Sequence, residues 1–271
     1  EATMSEQTPL RFATYLAPNM RPVYAAIAAY VGRWVGQPAT LTARRDFAAF
    51  ARGAVDAGFI CGLPYVQLTR AAEPAIEPLA APVLQGARYG DRPIYFSDVI
   101  VRHDSPARRF ADLRGCTWAY NDVDSHSGYN ITRYTLLCRG ETRGFFGRVV
   151  AAGYHQRGIR LVASGAVDAA AIDTQVLAIE LREHPELREQ LRVIETLGPA
   201  TIQPVVAARH LPAALKDAMR AALVAMGNDP GQRAALDAGY IARFAPIRDA
   251  DYDDIRAMVA AAEAADFLVL R

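Results

Sequence analysis

Asn121-Asp122-Val123-Asp124-Ser125-His126-Ser127-Gly128-Tyr129-Asn130 is the stretch on which the reading of this chain turns. An apolar run of strand character, Cys116 to Tyr120, leads into it, and a helix-like run, Ile131 to Leu137, leads out and can close at Gly140. A strand, a tight hydroxyl-rich loop and a helix start leave the first backbone N–H groups of that helix without acceptors. The positive end of the helix dipole adds to them, so a small anion fits there without a buried lysine or arginine. Ser125, His126 and Ser127 would add side-chain donors. The competing reading is an ordinary capped helix, since Asp, Ser and Asn are common N-caps that bind nothing.

Around this stretch the chain alternates between strand and helix patterns. Leu10 to Leu16 reads as a strand, Val23 to Val35 as a helix with apolar residues every four positions, and Ala39 to Ala43 as a second strand. Phe47 to Val55 follows as helix, Ala57 to Cys61 as strand, and Leu63 to Ala72 as helix. Ile76 to Leu84 and Ile94 to Arg102 are extended, after which His103-Asp104-Ser105-Pro106 breaks the pattern. A second alternating unit begins at Phe110. It holds a strand at Thr117 to Tyr120, helices at Tyr129 to Leu137, Phe145 to Ala152 and His155 to Ser164, and a strand at Val167 to Ile172. Thr174 to Arg182 is a helix, Leu191 to Leu197 a strand, and Gly198 to Pro204 a second break before Val205 to Ala208. From Pro212 the pattern is helical almost to the end.

Such alternation builds an α/β fold of mostly parallel, helix-covered sheets. The two breaks place the domains at 9–103 with 204–271, and at 104–203, the second carrying the anion loop. Two side-by-side crossings make a hinge, and a cleft at such a junction is a common ligand site. Asp173 ends an apolar strand, the edge where open α/β sheets bind ligands, though it equally suits a cap for the helix beginning at Thr174.

Composition narrows the function. The chain has 271 residues, long enough for two domains, and its 52% hydrophobic and 22% charged residues suit a folded chain rather than a disordered one. A net charge of +1, with basic residues scattered, argues against nucleic acid as a partner. Cys61, Cys116 and Cys138 form no Cys-x-x-Cys pair, and the five histidines show no metal-ligand spacing, so neither a metal nor another cofactor is expected. No apolar run of about 18 residues, the length that crosses a bilayer as a helix, is present. Glu1 to Pro9 has neither the basic nor the apolar part of a signal peptide. Either a leader has been removed, which makes the protein periplasmic, or Met4 is the start, which makes it cytoplasmic.

Three stretches in succession resemble the phosphonate- and phosphite-binding proteins of ABC import systems: Phe110-Ala111-Asp112-Leu113-Arg114-Gly115, the Asn121 to Tyr129 loop, and Ala163-Ser164-Gly165 through Asp173. Arg243-Phe244 and Asp249-x-Asp251-Tyr252-Asp253 are similar to that family's C-terminal pattern. The resemblance implies a two-lobed, type II periplasmic-binding-protein fold that closes on a small oxyanion such as a phosphonate, phosphite or phosphate. Its partners would be that ligand and an ABC permease, with the protein acting as a monomer. Residue by residue, it matches Ser125, His126 and Ser127 to the anion loop, Tyr95 to a pocket aromatic and His155 to a pocket histidine. The family usually has threonine at His126. Phe47 and Cys61 stand at two aromatic pocket positions, and Gln175 and Gln203 where aminophosphonate binders carry carboxylates. An amide cannot neutralise an ammonium group, so a neutral-tailed ligand is expected. The alternatives are an enzyme on the same scaffold, with His126 or His155 as acid/base and Asp173 orienting it, or a cytosolic sensor.

Overall fold

The computed structural model describes residues 8–270. In chain order the elements open with β1 (Leu10–Thr14), α1 (Arg21–Trp34), β2 (Ala39–Ala43), α2 (Ala48–Ala51), β3 (Ala57–Phe59), α3 (Gly62–Leu68), β4 (Ile76–Leu84) and β5 (Ile94–Arg102). They continue with β6 (Thr117–Tyr120), α4 (Ile131–Cys138), β7 (Arg148–Ala151), α5 (His155–Ala163), β8 (Ala169–Asp173), α6 (Thr174–Glu183) and α7 (Leu187–Gln190). The chain closes with β9 (Leu191–Thr201), β10 (Val205–Ala208), α8 (Ala213–Met226), α9 (Arg233–Ala238), β11 (Ile241–Pro246) and α10 (Asp253–Ala264).

The chain folds as two compact units. The first takes residues up to Cys61, then Gln67–Pro93 and Ile202–Ala250. Its sheet runs β11-β4-β10-β3-β1-β2. β1 pairs in parallel with β2 and β3, whereas β10 and β4 run antiparallel to their neighbours. The second unit takes Gly62–Val66, Ile94–Thr201 and Asp251–Arg271, with sheet order β7-β6-β8-β5-β9. β6 is parallel to β7 and β8, while β5 is antiparallel to β8 and β9. Each sheet is thus mixed rather than mostly parallel. The parallel strands come from the strand–helix–strand units, and the antiparallel pairs involve β4, β5, β9, β10 and β11.

Two of the changeovers between the units lie at Pro93/Ile94 and Thr201/Ile202; the others are at Cys61/Gly62, Val66/Gln67 and Ala250/Asp251. The polar breaks near residues 103 and 203 had suggested later boundaries, but β5 and β9 pair along nearly their whole lengths and so belong to the second sheet. The C-terminal segment also divides differently from the sequence expectation. α8 and α9 go with the first unit, whereas α10 goes with the second. The Asp254 carboxylate on α10 accepts from Thr201 N–H at 2.7 Å and from Thr201 Oγ1 at 3.0 Å, and the Tyr252 ring lies 4.5 Å from that of Tyr65. Two further expectations change. Residues 145–152 are not a helix: Phe145 and Phe146 pack against Phe110 and Trp118, and Arg148–Ala151 is the edge strand β7. The segment after Pro212 is interrupted by β11, which pairs with β4.

The second unit's core is an apolar cluster in which Ile100, Ala119, Ala170 and Ile172 of the sheet meet Ile159, Val162 and Leu177 of α5 and α6. Each such Ile, Val or Leu buried stabilises the fold by roughly 1.5–3 kcal/mol, enough to hold three strand ends at one edge. Because β6, β7 and β8 are parallel, their C-terminal ends at Tyr120, Ala151 and Asp173 fall on the same side of the sheet. Antiparallel β5 brings its N-terminal end there too, with Ser97 opposite Asp173. If the Thr201 clamp is what holds α10 to this unit, Asp254→Ala should lower stability by about 1–3 kcal/mol in urea unfolding, as expected for orphaning the part-buried Thr201 N–H, while the hydroxyl keeps Asp251 O at 2.7 Å. An unchanged midpoint would show that apolar packing alone holds the helix.

Candidate oxyanion-binding site

The loop after β6 enters its helix through Ser125, which is extended (φ −84°, ψ 129°) and whose Oγ accepts the Gly128 N–H at 3.1 Å. The first turn, His126–Asn130, is a π-turn: Asn130 N–H reaches Ser125 O at 3.1 Å, and Ile131 N–H reaches His126 O. A π-turn holds one residue more than an α-turn and so widens the helix start, a feature frequent at functional sites. Gly128 is required by close approach. A Cβ there would stand 1.9 Å from Asn121 Oδ1 and 3.3 Å from His155 Cε1.

Among the side chains that the sequence singles out, the fold brings Ser125, Ser127 and His155 together. Ser127 Oγ is 2.9 Å from His155 Nε2 and 3.5 Å from Ser125 Oγ. His155 opens α5, immediately after β7, so the parallel strand order delivers it to the loop after β6. It is buried, and its Nδ1 has no partner among the described residues. His126 is fully buried with its ring 6.1 Å from that of Tyr95, near the start of β5. Burial holds both histidines well below the ordinary imidazole range, at about 3, so both are neutral near pH 7.

Asp173 takes the other role foreseen for it. Its Oδ1 accepts the N–H groups of Gln175 at 2.8 Å and Val176 at 3.2 Å, which caps α6. Gln175 is buried in the first turn of that helix. Phe47, Cys61 and Gln203 belong to the first unit, where they lie beyond the ends of β2, β3 and the start of β10. There Phe47 stacks on Tyr15 with ring centres 4.4 Å apart, and Cys61 is half-buried and not in a disulfide.

Three contributors escaped the sequence reading. Asn121 packs against Gly128. Asn130 is fully buried, with its Nδ2 3.1 Å from His126 Nδ1. Arg133 is also buried: its Nη2 donates to Asn130 Oδ1 at 2.8 Å and its Nη1 to Leu268 O at 2.6 Å. A guanidinium does therefore sit behind the loop, one turn into the helix. The i, i+3 spacing of Asn130 and Arg133 was the available sign, but an arginine in a helical run ordinarily faces solvent.

The arrangement offers an anion the start of a helix, two hydroxyls and the neutral imidazole of His155, with a buried positive charge behind. Among the described residues no His, Cys, Asp and Glu cluster suited to a metal occurs, and no helix is long and apolar enough to cross a membrane.

Comparison with known proteins gives the fold and the family. The fold is similar to a binding protein component of an ABC phosphonate transporter from Pseudomonas aeruginosa (TM-score 0.82, 19% identity, 96% of this chain and 88% of that one). It is equally similar to PhnD1 from Prochlorococcus marinus in complex with methylphosphonate (TM-score 0.81, 17% identity, 94% and 98% covered). A protein from Xanthomonas citri bound to chloride ion also matches (TM-score 0.73, 18% identity, 96% and 99% covered). At these identities the likeness establishes the type II periplasmic-binding-protein fold. The family model described as "ABC transporter, phosphonate, periplasmic substrate-binding protein" matches residues 12–252, and with nine-tenths of its length so matched this chain belongs to that family.

Proposed function

We propose that this protein is the periplasmic receptor of an ABC importer, capturing a small phosphonate-, phosphite- or phosphate-like oxyanion at the Ser125–Asn130 turn and passing it to a permease without altering it. The observation that carries this reading is the Ser125, Ser127 and His155 cluster at a helix start, with the buried His155 Nδ1 unpartnered among the described residues. A buried polar atom without a partner costs roughly 1–3 kcal/mol, and an oxyanion accepting from it would recover that cost. Methylphosphonate in a relative of the same fold supports the ligand class. Family membership supports the permease as partner. The amides Gln175 and Gln203, at the positions where the resemblance puts carboxylates, favour methylphosphonate, phosphite and phosphate over aminoalkyl phosphonates.

A catalytic reading has one observation in its favour: reading along the chain assigns no base to Ser127, yet the fold sets His155 Nε2 2.9 Å from its hydroxyl. Against it, a general base working near neutral pH needs a pKa close to that pH, and burial drives His155 to about 3. A serine–histidine pair also needs a third group to orient the imidazole, and no described residue pairs with Nδ1. Hydrolysis of a phosphonate ester that disappears in Ser127→Ala would reverse this preference.

Isothermal titration with methylphosphonate, phosphite and phosphate is the direct test, and tight binding of one of them is expected, with Ser127→Ala weakening it by about 1–3 kcal/mol, because the hydroxyl that donates to Nε2 and so leaves the His155 proton on Nδ1 is lost. If the variant binds as tightly as the parent, Ser127 does not set the ligand-facing proton of His155.

The buried histidines predict a pH dependence of the ligand-free protein. Their folded pKa lies below the unfolded value near 6.5, so their contribution to stability is complete above about pH 6.5 and is lost as pH falls toward 3. Urea unfolding should show a loss of about 1 kcal/mol per histidine for each pH unit below 6. A stability that is flat from pH 7 to pH 5 would mean that these imidazoles are not buried neutral.

A further inference from the structure

Four groups behind the loop form one chain of hydrogen bonds: Leu268 O, the Arg133 guanidinium, the Asn130 amide and the His126 imidazole. Asn130 and His126 are wholly out of solvent and Arg133 nearly so. The direction of this chain follows from donor chemistry. A guanidinium only donates, so Arg133 must face the oxygen of the Asn130 amide, and the amide nitrogen must then face His126. That nitrogen only donates as well, so His126 Nδ1 has to accept. The ring proton of a neutral His126 is left on Nε2.

We propose that Arg133 and Asn130 are positioning residues that lock His126 in the Nε2–H tautomer, so that it meets the oxyanion as a neutral hydrogen-bond donor. The proposal rests on the oxyanion-capture reading for its functional half; the tautomer itself does not depend on that reading. In the other tautomer Nε2 would present a lone pair and repel an oxyanion. Threonine, usual at this position in the family this chain resembles, rotates its hydroxyl to suit the ligand. An imidazole cannot do so, and it has to be set in advance by its second nitrogen. The lock has a second anchor. Leu268 O holds Arg133, and the neighbouring Leu270 N–H donates to Tyr129 Oη at 3.0 Å, while the Arg133 guanidinium lies 5.6 Å from the Tyr129 ring centre. The carboxylate that acts on Arg133 through space is that of Glu263 on α10, whereas Arg133 Nη1 and Nη2 donate to a carbonyl and an amide oxygen.

The test is the nitrogen-15 spectrum of the histidine rings at pH 7.5, read beside calorimetric titration with methylphosphonate and with inorganic phosphate. The parent protein should show His126 protonated at Nε2 alone. Arg133→Lys still donates to Asn130 Oδ1 and should keep both the tautomer and the affinity. Arg133→Met frees the amide to turn over, and should give mixed tautomers with affinity at least about tenfold weaker. Asn130→Asp accepts from both neighbours and should move a proton onto Nδ1, which provides a second reading of the lock should Arg133→Met fail to fold. His126 protonated at Nδ1 in the parent, or a ring pattern unchanged in both Asn130→Asp and a folded Arg133→Met, overturns the lock. Affinity lost in Arg133→Met with the tautomer intact overturns the positioning role in favour of simple charge. If the parent binds neither anion, the capture reading fails, while the ring spectrum still decides the tautomer.

Discussion

The backbone N–H groups at the start of a helix have no acceptor within that helix, and the site in this protein is built around that constraint. Ser125 takes one of them with its own hydroxyl. The π-turn from His126 to Asn130 opens the helix start, and glycine at 128 lets Asn121 and His155 close in on the backbone. A capped helix end alone is commonplace. Here the end is also buried, fitted with a histidine at hydrogen-bond distance from Ser127, and backed by a guanidinium.

The sheet explains why these groups meet. Three parallel strands in the order β7-β6-β8 send the loop before α4, the start of α5 and the start of α6 to the same edge. His155 is 28 residues from Ser127 along the chain, and parallel pairing alone brings them within 2.9 Å. The same edge in the first unit carries Phe47, Cys61 and Gln203, which suits the general rule that open α/β sheets present ligand groups at the carboxyl ends of their parallel strands. Because both buried imidazoles are neutral, attraction of an anion at this candidate site would fall to hydrogen-bond donors, the helix start and the Arg133 charge, and would select by geometry more than by net charge.

Much of this was legible in the sequence. Cys116 to Tyr120, the hydroxyl-glycine loop and the apolar period from Ile131 are local signals, and they placed strand, turn and helix within a few residues of where they lie. Ile76 to Leu84 and Ile94 to Arg102 were equally clear, since β-branched runs bounded by glycine and proline have few alternatives. Residues 145–152 misled because a short apolar run fits helix and strand alike, and its conformation was decided by the aromatic packing of Phe145 and Phe146 and by pairing with β6. β11 was hidden by helix on both sides.

The sequence by itself determined the alternating α/β pattern and the hydroxyl-rich helix start, because hydrogen-bonding needs and side-chain period act over a few neighbouring residues. Tertiary structure decided what surrounds that start: the His155 contact, the turn of the Asn130 amide, and the descent of the C-terminal segment onto Arg133 across 135 residues. Those are contacts between segments distant in sequence. Their partners are chosen by strand order and by which buried donors still need acceptors, and neither is written in any local stretch of the chain.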